Sequence, residues 1–277
     1  MKKRSTLAYP CVVWILIFIL VPMFLIAYYA FTNEGSFTFE NISSAVQNEI
    51  YQKVLLRSVV IAFEATVICL LLGYPIAYML SNMKKSTASL LYVLFIVPMW
   101  MNFLLRTYAW QVILGSNGIL NTIFEAIGIG AQDMLYTEGA VLLGTVYNFL
   151  PFMILPIYTV LIKLDKSHVE AARDLGANGF MTFFKVTLPL SMPGVISGIT
   201  MVFIPAITTF AISRLLGGGK FMLFGELIEN QFLSARDWST GSALSFILLI
   251  LVLISMAIMR HIDKDTSEDE KGGGKLW

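Results

Sequence analysis

Two groups of residues in this chain have types and spacings that could do chemistry. The first is the polar run Glu170-Ala171-Ala172-Arg173-Asp174-Leu175-Gly176, followed after nine residues by Val186-Thr187-Leu188-Pro189, all between apolar stretches. Its chemistry is hydrogen bonding and ion pairing. Asp165 or Ser167 can cap a first helix, and Ser167 with Glu170 has the S-x-x-E spacing of a capping box. Gly176 suits the end of that helix. Asn178 can cap a second short helix carrying Phe180, Phe183 and Phe184, and Pro189 is expected to stop it, because proline lacks an N–H and restricts the residue before it. The expected product is a rigid helical finger over about residues 163–189. Glu170 has two compatible roles, a cap worth about 0.5–2 kcal/mol or an ion pair with a partner.

The second group lies within apolar runs. Glu64 and Arg106 are ionisable residues at places where charge is costly, roughly 15 and 12 Å from the nearer end of their segments at 1.5 Å per residue. They read either as a structural ion pair, with Arg106 also able to snorkel outward, or as a site where Glu64 meets a passing cation. Trp100, Tyr108, Trp110 and Tyr147 could hold an ammonium against a ring face, worth about 2 kcal/mol when desolvated; packing is the alternative for each. Thr208 and Thr209 follow the Pro205 kink and mark a candidate polar path, because broken helices at membrane depth line protein or a cavity.

Bond-making chemistry has little to stand on. The phosphate-cradling G-x-x-x-x-G-K-[ST] pattern fails at Gly219-Lys220, where Arg214 and Phe221 occupy required positions, and at Gly274-Lys275, where Asp269 and Leu276 do. The two histidines, His168 and His261, fall in the finger and the tail, and no nucleophile motif or metal-ligand spacing is present. Cys11 and Cys69 both fall in apolar runs and imply no disulfide framework. The chain therefore reads as a non-enzyme without a cofactor of its own.

The elements that must position these residues are membrane helices. The chain is 57% hydrophobic and 13% charged, with mean hydropathy +0.76, which is more apolar surface than a soluble core of this length can hide. Six runs are long enough to cross a hydrocarbon layer, for which a helix needs about 20 residues: about 7–31, 54–80, 88–114, 139–162, 190–214 and 241–259. Pro193, Gly194, Gly198 and Pro205 interrupt the fifth. With the N-terminus in the cytoplasm, thirteen of the nineteen Lys and Arg residues fall on that side, and only Lys53, Lys220 and Arg236 fall in outer loops, as the positive-inside rule favours. Both termini and the finger are then cytoplasmic. Lys2, Lys3 and Arg4 before an apolar run also suit a cleavable signal, but the run is long and reads as an uncleaved anchor; cleavage would leave five spans with the finger on the same side.

Two further segments complete the reading. Phe221, Phe224, Leu227, Ile228 and Phe232 have near-helical spacing, which predicts an amphipathic helix over 220–233 that gates the outer face or lies in the lipid headgroups. The tail, 263–277, is polar and then Gly-rich and is expected to be disordered, beyond a single membrane domain over 1–262.

The pattern Glu170, Ala171, Ala172, Gly176, Val186, Leu188 and Pro189 resembles the cytoplasmic signature of permease subunits of binding-protein-dependent ABC importers. The runs Leu72-Gly73-Tyr74-Pro75, Val97-Pro98-Met99-Trp100-Met101-Asn102, Leu105-Arg106-Thr107-Tyr108, Gly217-Gly218-Gly219-Lys220 and Gln231 to Trp238 resemble the spermidine/putrescine (PotB-type) family. The resemblance implies an all-α integral membrane protein with six transmembrane helices of the type I ABC importer permease fold and a cytoplasmic coupling-helix loop. It implies that Glu170, Ala171, Ala172, Asp174, Gly176, Leu188 and Pro189 form the joint with an ATPase dimer, which binds ATP and Mg. A second homologous permease in a heteromer, an extracellular solute-binding protein, a polyamine cargo, a bacterial cytoplasmic membrane and no nucleic acid complete the expectation. The predicted outer loops hold nine acids, among them Glu226 and Glu229, against three bases, while Arg214 falls at a span edge; the net of about −6 suits polycations but also follows from the positive-inside rule alone. The alternatives are the same machine for another small solute, or a transporter driven by an ion gradient.

Overall fold

The computed structural model describes residues 13–33 and 35–272, with side chains described as far as Ile262. The helices are α1, Val13–Ala30; α2, Glu40–Gln47; α3, Glu49–Asn82; α4, Lys85–Trp100; α5, Phe103–Leu114; α6, Ile119–Ala126; α7, Glu138–Leu161; α8, Lys166–Asp174; α9, Gly179–Thr208; α10, Phe224–Asn230; and α11, Trp238–Gly272. A two-residue antiparallel hairpin pairs Thr32 with Phe37 and Asn33 with Ser36. Five helices are long and apolar enough to cross a membrane, or six if the bent pair formed by α4 with the segment Phe103–Ala126 counts as one.

The core is a three-helix packing of α3, α7 and α9, with α1 against α11 and α11 against α9. Lipid gives no hydrophobic drive between helices, so close approach at small residues does the work. A Cβ on Gly194 would lie 3.0 Å from the Pro156 carbonyl oxygen and 3.1 Å from Ile157 Cα, and one on Gly198 would lie 2.7 Å from Met153 Sδ. Between α3 and α9, the Tyr74 hydroxyl shares a buried 2.7 Å hydrogen bond with Ser191 Oγ. Ile61, Met153, Ile154, Ile157 and Val202 fill the space between these helices.

Several expectations change. The third run does not cross as one rod: α4 stops at Trp100, and the chain turns by 92° into α5. Pro98 weakens the end of α4, and the Asn102 side chain accepts the Leu104 N–H at 2.8 Å, starting a new helix. Pro189 does not stop the second finger helix either. The turn Phe183–Thr187 widens to a π-helix, with the Leu188 N–H donating to the Phe183 carbonyl five residues back, and this carries the chain past the proline into α9. The fifth span thus begins in the finger and ends at Thr208. The outer amphipathic helix begins later than expected, at Phe224, and continues past α10 as a π-turn over Gln231–Ala235; Phe224 and Leu227 are buried against Val54, Ala243 and Leu244, so it belongs to the packed bundle and not to the headgroups. Finally, α11 runs to Gly272, into the segment expected to be disordered, because extending an existing apolar helix needs no new nucleus; residues 273–277 lie outside the described residues.

Candidate functional site: the finger and the far end of the bundle

The finger is built as a loop of local hydrogen bonds. Of the two candidate caps, Asp165 is used: its carboxylate accepts the Ser167 N–H at 3.0 Å, so the Ser167 to Glu170 box is not formed. That bond, with the Ser167 hydroxyl second, holds the exposed Asp165 carboxyl below the usual carboxylate range. At the other end of α8, the Gly176 N–H reaches the Arg173 carbonyl at 2.9 Å and the Ala177 N–H reaches the Ala172 carbonyl at 3.0 Å. With Gly176 at φ +85°, this is a Schellman ending. Asn178 then caps α9 by accepting the Met181 N–H at 2.8 Å.

None of the residues of α8 is buried, so the finger stands away from the core with Glu170, Ala171 and Asp174 exposed. Leu175 and Phe180 are 90% and 74% exposed. Phe180 and Phe184 meet with ring centroids 4.5 Å apart and planes tilted by 50° on the outside, whereas Phe183 turns inward with its ring 5.5 Å from both Tyr74 and Tyr78. The π-turn thus links an exposed apolar tip to the core of α3. Glu170 and Arg173 line a cavity of about 650 Å³ with Ser81, Asn82, Lys85 and Tyr158, at the ends of the spans. Leu188 and Pro189 form the base of the finger.

The span residues are dispersed. Glu64 is exposed on α3, and Arg106, 8% exposed on α5, has a buried Nε without a partner. Among the described residues they do not pair with each other. Trp110 and Tyr147 do meet, ring centroids 5.4 Å apart. Tyr108 is exposed, and Trp100 is 83% exposed at the break. Thr208 and Thr209 end α9, where their carbonyls crowd Gly225 of α10 so closely that a Cβ there would lie 2.5 and 2.9 Å from them.

Residues read only as outer-loop or span-edge charges form a further cluster there. Glu226 is buried, the Arg214 guanidinium pairs with Glu229 at 2.8 Å, and Ser58 of α3 accepts the Phe224 N–H at 2.7 Å. Burial pushes the Glu226 carboxyl above its ordinary range, against the Ser213 hydroxyl and Arg214, which favour the anion. No local spacing announces this burial, because it depends on how α10 folds back between α3 and α11. Among the described residues, no three His, Cys, Asp or Glu side chains converge as a metal site.

Comparison with known proteins gives this arrangement its relatives. In fold, the chain matches a bacterial ABC transporter involved in import of the polysaccharide alginate, with TM-score 0.81 at 16% identity over 95% of this chain and 96% of that one. It also matches the inward-facing MetNI methionine ABC transporter, with TM-score 0.59 at 15% identity over 79% and 99%. In sequence, it is 42% identical over 260 residues to the spermidine/putrescine transport system permease protein PotB of Haemophilus influenzae, covering 91% of each chain. The PotB of Escherichia coli K12 is 38% identical over 253 residues, 88% of this chain and 92% of that one. The model of the binding-protein-dependent transport system inner membrane component family matches residues 69–268, from the middle of α3 through the finger and into the end of α11. With spans that pack as in importer permeases and a capped finger between α7 and α9, the chain belongs to the family of binding-protein-dependent transport system inner membrane components.

Proposed function

We propose that this chain is a permease subunit of an ATP-driven polyamine importer in the bacterial cytoplasmic membrane, with spermidine or putrescine as cargo. The observation that carries this reading is the 42% identity to a spermidine/putrescine permease across 91% of both chains. In this account a separate ATPase dimer binds ATP and Mg and hydrolyses ATP, an extracellular binding protein delivers the cargo, and a homologous second permease completes the path as a heteromer. Both termini face the cytoplasm.

The finger is the joint with the ATPase. Ala171 and Ala172 are small enough to let the α8 backbone approach a partner, and Leu175 and Phe180 offer an exposed apolar tip to a cleft. Glu170 and Asp174 add charge on the same short helix. Because α9 is continuous from Gly179 to Thr208, a push on the finger is delivered along one helix to the far end of the bundle. Glu64, Trp100, Arg106, Tyr108, Trp110, Tyr147, Thr208 and Thr209 remain our candidates for the cargo path.

The test is labelled spermidine uptake by bacterial cells that lack this chain and every other polyamine importer, with and without the chain restored. Saturable uptake should be lost and then recovered, with no comparable effect on amino acid or inorganic ion uptake. Uptake that does not depend on the chain would remove polyamine as the cargo.

A further inference from the structure

Two features of the elbow between α4 and α5 lack a counterpart among the described residues. The first is charge. Arg106 is 8% exposed, and the described ion pairs are Lys53 with Glu49 and Arg214 with Glu229, so none involves it. Of its three nitrogens, Nε is the one that is both buried and unpartnered, which leaves the fork of Nη1 and Nη2 open at the surface. An arginine guanidinium is not deprotonated in proteins, so titration offers no relief, and a charge held in a largely buried place without a partner is costly.

The second is backbone. α4 starts beside Lys84 and Lys85, which the charge bias places at the cytoplasmic surface, and its 16 residues reach about 24 Å at 1.5 Å per residue, short of a hydrocarbon layer of about 30 Å. The elbow is therefore still at membrane depth. Met101 and Asn102 are non-helical there. Two helix ends set carbonyls and N–H groups free, and the turn supplies partners to the Met101 N–H, at the Pro98 carbonyl 3.2 Å away, and to the Leu104 N–H, at the Asn102 side chain. Trp100, Met101 and Asn102 are nonetheless exposed, and irregular backbone at this depth must be covered by protein or line a water-filled cavity. From the elbow, α5 presents Leu105, Tyr108 and Val112 exposed at i, i+3 and i+7, one face of a helix. Water does not suit that apolar stripe, and lipid suits neither the backbone nor Arg106. An apolar protein surface that brings one carboxylate suits all of them.

We propose that the α4–α5 elbow is the seat of the second permease, which sets a carboxylate against Arg106. The inference rests on the heteromer in the function proposed above, and adds which surface of this chain makes it and what chemistry the other side brings. A guanidinium offers its donors in a planar fork, which a carboxylate meets with two parallel bonds. Pairing also cancels a positive charge that would otherwise oppose a passing polycation, so Arg106 borders the cargo path as half of a neutral pair.

The test is photo-crosslinking in membranes that hold the assembled complex of both permeases and the ATPase, with Leu105 or Val112 replaced by a benzophenone-bearing residue. Each should crosslink to the second permease and give a band at the summed mass. Without the probe, Arg106→Gln should weaken association of the two permeases in detergent by about thirtyfold or more, the loss expected when a buried, hydrogen-bonded charge pair loses one member. Arg106→Lys keeps the charge without the fork and should lose less. Crosslinks to lipid alone would overturn the inference, as would equal association in wild type and Arg106→Gln. Equal losses for glutamine and lysine would overturn it too, by assigning Arg106 to packing within this chain. If Arg106→Gln does not accumulate, the crosslinks decide alone. Crosslinks to a second copy of this chain would overturn the heteromer in the reading above, and the inference with it. A crosslinked heteromer that carries no spermidine would instead remove polyamine as the cargo and leave the interface standing.

Discussion

Replacing Gly176 by alanine isolates the energetics of the finger. Gly176 sits at φ +85° with nothing within 4 Å of where a Cβ would stand, so the substitution adds no clash and its cost is conformational. A residue with a Cβ in the left-handed region costs about 1–2 kcal/mol relative to its preferred backbone, a factor of roughly 5–30 in a local equilibrium. Here that equilibrium is between the closed Schellman ending and a frayed one, in which the Gly176 to Arg173 and Ala177 to Ala172 bonds are open. Because no residue of α8 is buried, the bundle should keep its thermal midpoint while the finger loosens. Hydrogen exchange of the finger peptide in the assembled complex should show the amides of residues 175–177 losing protection by that factor. Gly176→Asn should lose less, since asparagine tolerates the left-handed region. If alanine and glycine gave equal protection, the claim that this backbone conformation sets the finger's shape would be wrong.

Three other substitutions test other parts of the account. Ser58→Ala leaves the buried Phe224 N–H without its acceptor, which should cost about 1–3 kcal/mol and lower the thermal midpoint in detergent; an unchanged midpoint would show that the bond does not hold α10 to α3. Gly194→Ala should destabilise the bundle by about 1–3 kcal/mol, and more than Gly198→Ala, because its Cβ meets backbone while that of residue 198 meets the end of a flexible methionine first; the reverse order in thermal unfolding would refute the packing argument. The Asp165 carboxyl is held low by the Ser167 N–H, so its cap is fully present above the ordinary carboxylate pKa and lost as pH falls through the lowered one. Exchange at the Ser167 amide, corrected for intrinsic rate, should rise over that acidic window in the wild type and be flat with pH in Asp165→Asn, and equal pH dependence in both would rule out the carboxylate as the cap.

Much of the finger was legible because its determinants are local: Asp165 and Asn178 carry their own cap oxygens, and Gly176 supplies its own left-handed turn. Composition and run length likewise located the second and fourth spans to within about five residues at each end, whereas the third, fifth and sixth expected runs differ from their helices by more than ten residues at one end. What local pattern could not give was geometry set by neighbours. Pro189 reads as a helix stop, but the π-turn at Phe183–Thr187, with Phe183 wedged between Tyr74 and Tyr78, absorbs it. Asn102 after Pro98 was a visible cap hidden inside an apolar run that looked continuous. Glu226 looked like an outer-loop charge because its burial arises from the return of α10 between helices distant in sequence.

The central claim is that this permease carries polyamines by ATP-driven coupling through the finger. The most direct measurement is accumulation of labelled spermidine in proteoliposomes containing this chain with its second permease and ATPase, supplied with loaded binding protein. The account predicts accumulation that requires ATP and is sharply reduced when Glu170 and Ala172 are replaced by lysine and by a bulky residue, with the permeases still assembled. Spermidine accumulation driven by an ion gradient without ATP, or unaffected by those finger substitutions, would contradict it.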